Sequence, residues 1–354
     1  VHSIGNEESA FSLYRRAKEL LDKDSPQYDP QEAVSLLIRS AQQDSDIGTP
    51  FGGIAAYRLG KIFLMGDPVE QDVGYGLKWL WQSQEQNNPY AQLLLGRTYL
   101  KGDLVAKDIS LAETLFGLSA KQENAHACYA LAKLHLSGLA ENSSVTKAVH
   151  LLEVSANKGN QWAQYTLGKM LMRGELIAKD IPRAEKLLLS AARPRSAGAG
   201  SEKMNGSNPY AGYLLGKLYL SEDGIPKNAE KAVYYLKDSA KQGNQWAQYQ
   251  LGKMLLYGKE AEQNTKEGLD LLSQSAQQGN MYAQKILDGY ECFQGHRKTG
   301  AMLGSMRLLG HLSRLIQNRL EEEDRCKDNA GRIDRKLRRQ IEIKREAHGL
   351  RLGG

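Results

Sequence analysis

The residues in this chain that could perform catalysis or bind a metal are scattered and form no reactive set. His126 and His135 lie on one predicted helix, but they are about 13 Å apart along its axis, too far to share a metal ion. Cys292 and His296 are four residues apart, but two ligands do not make a metal site. The chain also lacks a phosphate-binding G-x-x-x-x-G-K-[ST] loop and an H-E-x-x-H pair. We therefore expect no enzyme activity, no metal and no cofactor.

The basic charge of the chain is concentrated near its end. The net charge is +6 over 354 residues. Residues 301–354 hold 13 Lys and Arg against 8 Asp and Glu, or +5, which leaves +1 for residues 1–300. Six basic residues alternate with apolar ones in 332–346: Arg335, Lys336, Arg338, Arg339, Lys344 and Arg345. Such a cluster is typical of contact with nucleic acid or an acidic partner. The alternative is a solvated helix face that the acidic run 321–324 balances.

Composition indicates a folded protein that stays out of the bilayer. The hydrophobic fraction is 41% and the charged fraction 25%, both ordinary for a soluble domain. No apolar run approaches the ~18 residues of a membrane span. Three cysteines without pair spacing favour a reducing compartment. We therefore expect a cytoplasmic protein.

The elements that position these residues come from an internal repeat. Ala-Gln-Tyr-Thr-Leu-Gly-Lys-Met at 163–170 returns as Ala-Gln-Tyr-Gln-Leu-Gly-Lys-Met at 247–254. The small residue of this phrase recurs in steps of 36, 36, 36, 48, 36 and 36, counted from Gly60 to Asp288. A fixed period in this range predicts a stacked array without a single central core.

Each repeat is predicted to contain two helices. Asn caps the first helix, as at Asn160, and Asp, Ser or Asn caps the second, as at Asp180. Gly159, Gly243 and Gly279 are predicted to take the left-handed conformation that closes a preceding helix. First helices are expected near 10–22, 54–65, 90–101, 126–137, 162–173, 210–221, 246–257 and 282–293. Second helices are expected near 30–43, 74–87, 110–123, 146–159, 182–193, 229–242 and 265–278.

Two segments depart from the repeat. The N-terminal unit lacks the Leu-Gly phrase and is followed by a predicted extra loop from Asp44 to Gly53. A Gly/Ser/Ala-rich insertion at 194–207 explains the 48-residue step and is predicted to be a flexible surface loop. It is either a functional loop or a tolerated insertion.

The repeat resembles the Sel1-like repeats, which belong to the tetratricopeptide-like superfamily. The resemblance rests on Ala, Leu-Gly, Tyr/Met and Gly in the first helix, the Lys-Asp link, and Ala, Leu, Ser-Ala and Gly-Asn in the second. It implies an all-α, right-handed α/α superhelical solenoid of about seven 36-residue repeats over 10–293, followed by C-terminal helices. It also implies a non-enzymatic scaffold or adaptor that holds a protein in a concave groove.

The candidate groove residues are polar positions beside the packing phrase. They repeat at equivalent places in several first helices, which is why we expect them to contact a partner: Gln92, Arg97, Gln164, Lys169, Gln248 and Lys253.

The tail carries a second resemblance. Residues 331–341, Gly-Arg-Ile-Asp-Arg-Lys-Leu-Arg-Arg-Gln-Ile, resemble the closing segment of certain Gram-positive mobilisation relaxases, in which Sel1-like repeats follow a nicking domain. This implies an accessory C-terminal part of such a protein, without the Tyr nucleophile and His-rich metal site of the nicking domain. The alternatives are a host-directed or envelope-associated adaptor and a nucleic-acid-binding protein with a basic tail.

The remaining boundaries follow from composition. Residues 1–9 are expected to be a flexible N-terminus, 294–349 a helical basic segment, and 350–354 a disordered end. Apolar residues at helical spacing in 301–320 predict an amphipathic helix. That helix would cap the last repeat, bind a partner or second copy, or lie on a membrane surface.

Overall fold

The computed structural model describes residues 8–47, 50–193 and 207–298, and every regular element in these ranges is an α-helix. The fifteen helices are α1 (Ala10–Leu20), α2 (Pro30–Ile47), α3 (Pro50–Met65), α4 (Val73–Glu85), α5 (Pro89–Lys101), α6 (Ile109–Lys121), α7 (Ala125–Leu136), α8 (Val145–Asn157), α9 (Gln161–Arg173), α10 (Ile181–Ala191), α11 (Pro209–Leu220), α12 (Ala229–Lys241), α13 (Gln245–Tyr257), α14 (Thr265–Gln277) and α15 (Met281–Lys298). The all-α fold class and the seven two-helix repeats are confirmed.

The chain divides into two compact units, Val1–Ser239 and Ala240–Gly354. In the first unit, the helix pairs from α1/α2 to α9/α10 pack internally, and each second helix packs on the next first helix up to α11. In the second unit, α13 packs on α14 and α14 on α15. Within each unit, consecutive helices therefore stack in chain order, as the period predicts.

The helix boundaries arise from capping at the expected residues. The Asn side chains before the first helices accept bonds from the second and third backbone N–H groups of each helix, as Asn160 does from Trp162 and Ala163. Asp72, Asp108, Ser144, Asp180 and Asn264 cap second helices, each by accepting one bond from the third backbone N–H group of its helix. These bonds satisfy backbone donors that a helix start leaves open. The left-handed glycines at 159, 243 and 279 have φ values of 83°, 83° and 89°, so that prediction is confirmed.

The two helices of a repeat meet where a small residue faces a large side chain twenty positions later. A Cβ built on Gly60 would lie 2.5 Å from Cγ of Leu80 and 2.9 Å from the carbonyl oxygen of Gly76. Gly96 faces Phe116, and the same pairing recurs at Gly168/Leu188 and Gly216/Leu236 in the first unit and at Gly252/Leu272 in the second. Each of these glycines lets the two helices approach without a Cβ between them, whereas Ala17 and Ala132 hold the same position in two other repeats of the first unit.

A buried hydroxyl joins the same two helices at their other end. Ser119 Oγ donates to the carbonyl oxygen of Pro89 over 2.7 Å, thirty residues earlier. Equivalent bonds run from Ser40, Ser83, Ser155 and Ser239 in the first unit and from Ser275 in the second. All six serines are fully buried. The sequence predicts these positions only as small residues, so the hydrogen bond is an addition from the structure.

The predicted loop from Asp44 to Gly53 is wrong. Helix α2 continues to Ile47, and α3 already begins at Pro50, because proline is favoured in the first turn of a helix. The N-terminal unit also keeps the repeat register, since Ala17 and Leu37 are both fully buried in one core cluster with the same twenty-residue separation. Ala17 thus takes the place of the glycine, which is why the Leu-Gly phrase does not reveal the repeat.

The segment 1–9, predicted to be a flexible N-terminus, lies outside the described residues apart from its last two residues. The same holds for the insertion except Ser207, for the amphipathic segment 301–320, and for the tail beyond 298. Helix α15 runs to Lys298, past the predicted repeat boundary at 293. The domain boundaries stay predictions.

Gly60→Ala is expected to lower the unfolding temperature. Overpacking against Leu80 and the Gly76 carbonyl costs about 1–3 kcal/mol, which exceeds the roughly 1 kcal/mol that alanine gains in helix propensity. Gly117→Ala is the matched control, because a Cβ at this helical glycine meets nothing within 4 Å, so its unfolding temperature should rise. Thermal unfolding followed by circular dichroism measures both; equal shifts would contradict the close-approach role.

Ser119→Ala is expected to destabilise the protein by about 1 kcal/mol, because it removes a buried hydrogen bond between the paired helices. Ser110 is exposed at the start of the same helix, so the control substitution Ser110→Ala should leave the free energy of unfolding nearly unchanged. Urea unfolding of the two variants beside the wild type checks this. An equal effect of both substitutions would show that the hydroxyl bond contributes nothing.

Candidate functional site

The predicted groove glutamines face the turns between repeats. Gln92 and Gln248 are 1% and 3% exposed, and Gln164 is half-buried. Gln164 Nε2 donates to the carbonyl of Ala156 over 3.1 Å, eight residues earlier, and Gln248 makes the same bond to Ala240 in the second unit. These amides therefore tie a first helix to the end of the preceding second helix, and burial argues against a partner contact.

Gln92 belongs to a local amide network. Its Nε2 donates to Oδ1 of Asn87, and its Oε1 accepts from Nε2 of Gln122 over 3.0 Å. The carbonyl and amide groups of a buried glutamine need such partners. The repetition of these residues in the sequence thus has a structural cause.

The predicted basic residues lie elsewhere, on the outer face of the first helices. Arg97 is exposed, and Lys169 is half-buried. In the first unit a basic residue directly follows the small packing residue in five consecutive first helices. These five are Lys61, Arg97, Lys133, Lys169 and Lys217. Lys253 holds the same position in the second unit and is half-buried.

Aromatic side chains share this face. They lie four or seven residues before the basic residue, and at both positions in α9 and α11, a spacing that places them on the same side of the helix as the basic residue. Tyr90, Trp162 and Tyr210 are 55%, 47% and 44% exposed. We call the face of the first unit the aromatic–cation strip; it consists of Tyr57, Lys61, Tyr90, Arg97, Tyr129, Lys133, Trp162, Tyr165, Lys169, Tyr210, Tyr213 and Lys217.

Ring contacts join neighbouring first helices of the strip at two places, between α3 and α5 and between α9 and α11. The ring centroids of Tyr57 and Tyr90 are 6.0 Å apart. Tyr210 lies 5.8 Å from Trp162 and 6.0 Å from Tyr165. Such distances are typical of favourable aromatic pairs. The amino groups of Lys133 and Lys169 lie about 6 Å from the centroids of Tyr129 and Tyr165, at the outer limit of a cation–π contact.

The electrostatics of the strip are positive. Helices α3, α5, α7, α9 and α11 contain eight Lys and Arg and no Asp or Glu within their spans. Their partners α4, α6, α8, α10 and α12 each contain an acidic residue. Burial raises the pKa of Tyr57, although the charge of Arg97 opposes this, and burial likewise raises the pKa of Tyr165. Tyr57 and Tyr165 therefore stay neutral near pH 7, and the charge of the strip comes from the basic residues.

Sequence reasoning identified Arg97, Lys169 and Lys253 but missed Lys61, Lys133 and Lys217. The missed residues occupy the same position of the repeat, and an alignment of all six copies on the small residue would have found them. It would also have shown that these first helices contain neither Asp nor Glu, which is a property of each helix as a whole.

A shallow cleft lies at the other side of the first unit. Its volume is about 640 Å³, and it is lined by residues of the α8, α9 and α10 region, including Val149, Ile177 and Asp180. Its charged groups are already paired, since Arg183 contacts Glu153 and Lys179 contacts Asp223. Neither reactive groups nor a metal cluster meet there: among the described residues, no three His, Cys, Asp or Glu could hold a metal ion. His126 and His135 lie on α7 as expected.

The basic tail residues at 335–345 lie outside the described ranges. Among the helices that are described, none has the length and apolar character to cross a membrane.

Comparison with known families bears on these repeats directly. The Sel1 repeat model matches seven segments, which together make up more than half of the chain: 21–45, 53–83, 89–124, 125–160, 163–193, 209–244 and 247–280. The chain belongs to the Sel1 repeat family. Each matched segment after the first contains a small-residue contact or cap described above, so the family pattern and the packing agree.

Two solved structures show the same fold. The protein c5321, described as a protective antigen of uropathogenic Escherichia coli strains displaying an SLR fold, has a TM-score of 0.66 at 24% identity over 80% of this chain. A Sel1 repeat protein from Oxalobacter formigenes has a TM-score of 0.62 at 25% identity over 79% of this chain. The chain spans 57% of the first protein and 75% of the second. No curated protein sequence matches the chain.

Proposed function

We propose that this Sel1 repeat protein is a non-enzymatic scaffold that holds a protein partner on the aromatic–cation strip. Sel1 repeat proteins generally act as protein-interaction scaffolds. The single observation that carries the proposal is the exposed aromatic ring at one repeat position of three first helices, Tyr90 on α5, Trp162 on α9 and Tyr210 on α11. Exposed aromatic and basic residues are the types enriched in protein interfaces.

The strip suits this role better than the rest of the described surface. Its rings form two clusters that each span two repeats, one on α3 and α5 and one on α9 and α11, and exposed apolar patches mark interaction sites. Its scaffold is rigid, because the packing beneath it places glycines against Leu80, Phe116 and Leu188. A preordered surface loses little conformational entropy on binding.

We also propose a reducing, cytoplasmic location. The described thiol, that of Cys128, is buried and free, and burial raises its pKa. A buried thiol of this kind is an unreactive packing group.

Site-specific photocrosslinking tests where the partner binds. A photoreactive phenylalanine at Tyr90 or Tyr210, both on the strip, is expected to give a covalent adduct with a partner protein in cells. The control position is Tyr234, which is 68% exposed on the second helix α12. Adducts at Tyr234 equal to those at the strip, or none at either strip position, would count against the proposal.

A second proposed function concerns nucleic acid. The basic cluster at 332–346 motivates it, together with the resemblance of 331–341 to the closing segment of mobilisation relaxases. On this proposal the repeats recruit a protein of the transfer machinery while Arg335, Lys336, Arg338, Arg339, Lys344 and Arg345 contact DNA phosphates.

Deletion of residues 321–354 tests the second function. The full chain is expected to bind a DNA duplex with an affinity that falls steeply with salt, because phosphate contacts release counterions. The deletion should abolish this binding, whereas charge reversal at Lys121 and Lys147, exposed on second helices, should not. Absence of binding by the full chain at low salt would exclude the DNA contact.

A further inference from the structure

The basic residues of the strip form a ladder with one cation in each repeat. Lys61, Arg97, Lys133, Lys169 and Lys217 follow the packing residue in successive first helices. Because that packing residue faces the second helix in every repeat, the next side chain leaves each helix in the same direction. Four of the five are exposed, and Lys169 is half-buried.

The charge of the ladder has no acidic counterpart on its own helices. The acidic residues of these repeats lie on the second helices, which are on the other side of the packing contact. A row of like charges attracts an oppositely charged ligand and suppresses binding of a basic one.

We propose that the occupant of the strip is an acidic, extended polypeptide segment with aromatic or apolar residues between its carboxylates. This inference rests on the proposed scaffold function and specifies its ligand. The carboxylates pair with the cation ladder, and the intervening side chains pack on the aromatic rings.

The spacing of the ladder sets the spacing of the ligand. First helices that touch through their side chains lie about 8–10 Å apart, and the 5.8–6.0 Å ring contacts show that α3 touches α5 and α9 touches α11. A chain in the polyproline II conformation advances about 3.1 Å per residue with three residues per turn, so carboxylates at every third residue lie on one face and meet one cation per repeat.

A nucleic acid fits the strip less well. Residues 1–300 carry a net charge of only +1, whereas nucleic-acid-binding domains have a strongly basic footprint. The rings of Trp162, Tyr165 and Tyr210 also pack on one another in T-shaped and tilted pairs, which leaves less of their surface open to stack with bases. An acidic peptide, in which apolar residues separate the carboxylates, matches the strip better than a nucleic acid, which carries a charge at every nucleotide.

Fluorescence anisotropy with defined peptides tests the inference. The probe is a labelled peptide of fifteen residues with glutamate at every third position and phenylalanine, alanine and serine between. The reference has the same composition with its glutamates in one block. We expect the full chain to bind the spaced peptide at least about tenfold more tightly than the blocked one, with weaker binding at higher salt.

Charge reversal locates the binding. Arg97→Glu, Lys133→Glu and Lys169→Glu combined should weaken peptide binding at least about tenfold, since three charge pairs become repulsive. The matched control reverses Lys121, Lys147 and Lys186, which are exposed on the second helices, and changes the net charge equally. It should shift affinity less than about threefold. If the Glu variant unfolds, the combined substitution of Arg97, Lys133 and Lys169 by Gln gives a second test. Its unfolding temperature is measured as well, to show that this variant is folded.

The inference would be overturned if the full chain bound the spaced and the blocked peptide equally, or if the strip and control triple variants lost the same affinity. It would also be overturned if a single-stranded oligonucleotide bound more tightly than the spaced peptide and the strip variant abolished that binding. Peptide binding that survives in the strip variant would place it on the basic tail. If photocrosslinks form at Tyr90 or Tyr210 while the acidic peptide does not bind, the scaffold function stands and only the ligand class is wrong.

Discussion

The contact between a small residue of the first helix and a large side chain twenty residues later is the constraint on which each repeat depends. At Gly60 the space for a Cβ is filled by Leu80 and by the backbone of α4, so the two helices can approach only if no side chain intervenes. This close approach also places the buried Ser83 and its equivalents within hydrogen-bonding distance of a first-helix carbonyl. One contact near the middle and one at the end fix both the distance and the register of the hairpin.

This packing decides what each first helix can present outward. Alanine and glycine occupy the face against the second helix, and leucine fills the core, as Leu59 and Leu95 do. The remaining face carries Tyr, Trp, Lys and Arg, and the spans of α3, α5, α7, α9 and α11 contain no Asp or Glu. Because stacking repeats this face at a nearly constant interval, a single residue type per repeat becomes a ladder. The function proposed here is thus a property of the array, since no single repeat carries enough groups to bind a partner.

Much of the fold was predictable because its determinants are local. Caps such as Asn160 and Asp180 act within three residues, and left-handed glycines such as Gly159 act at one position. The N-terminal repeat escaped the period because Ala17 replaces glycine there, and only its burial beside Leu37 shows the equivalence. The predicted loop over 44–53 failed for a related reason: polar residues at a helix end do not distinguish a loop from an exposed last turn.

The sequence by itself determined the repeat length, the all-α class, the helix starts and the absence of a recognisable catalytic motif, since these follow from spacing and residue type. Only the tertiary structure decided which repeated polar residues are available to a partner. Gln92 and Gln248 repeat as regularly as Arg97, but their amides bond to the turn between hairpins, whereas Arg97 lies exposed. The reason is that a residue can repeat with the period whether it packs inside the stack or lies on its surface. Only the burial of its side chain in the tertiary structure separates these two cases.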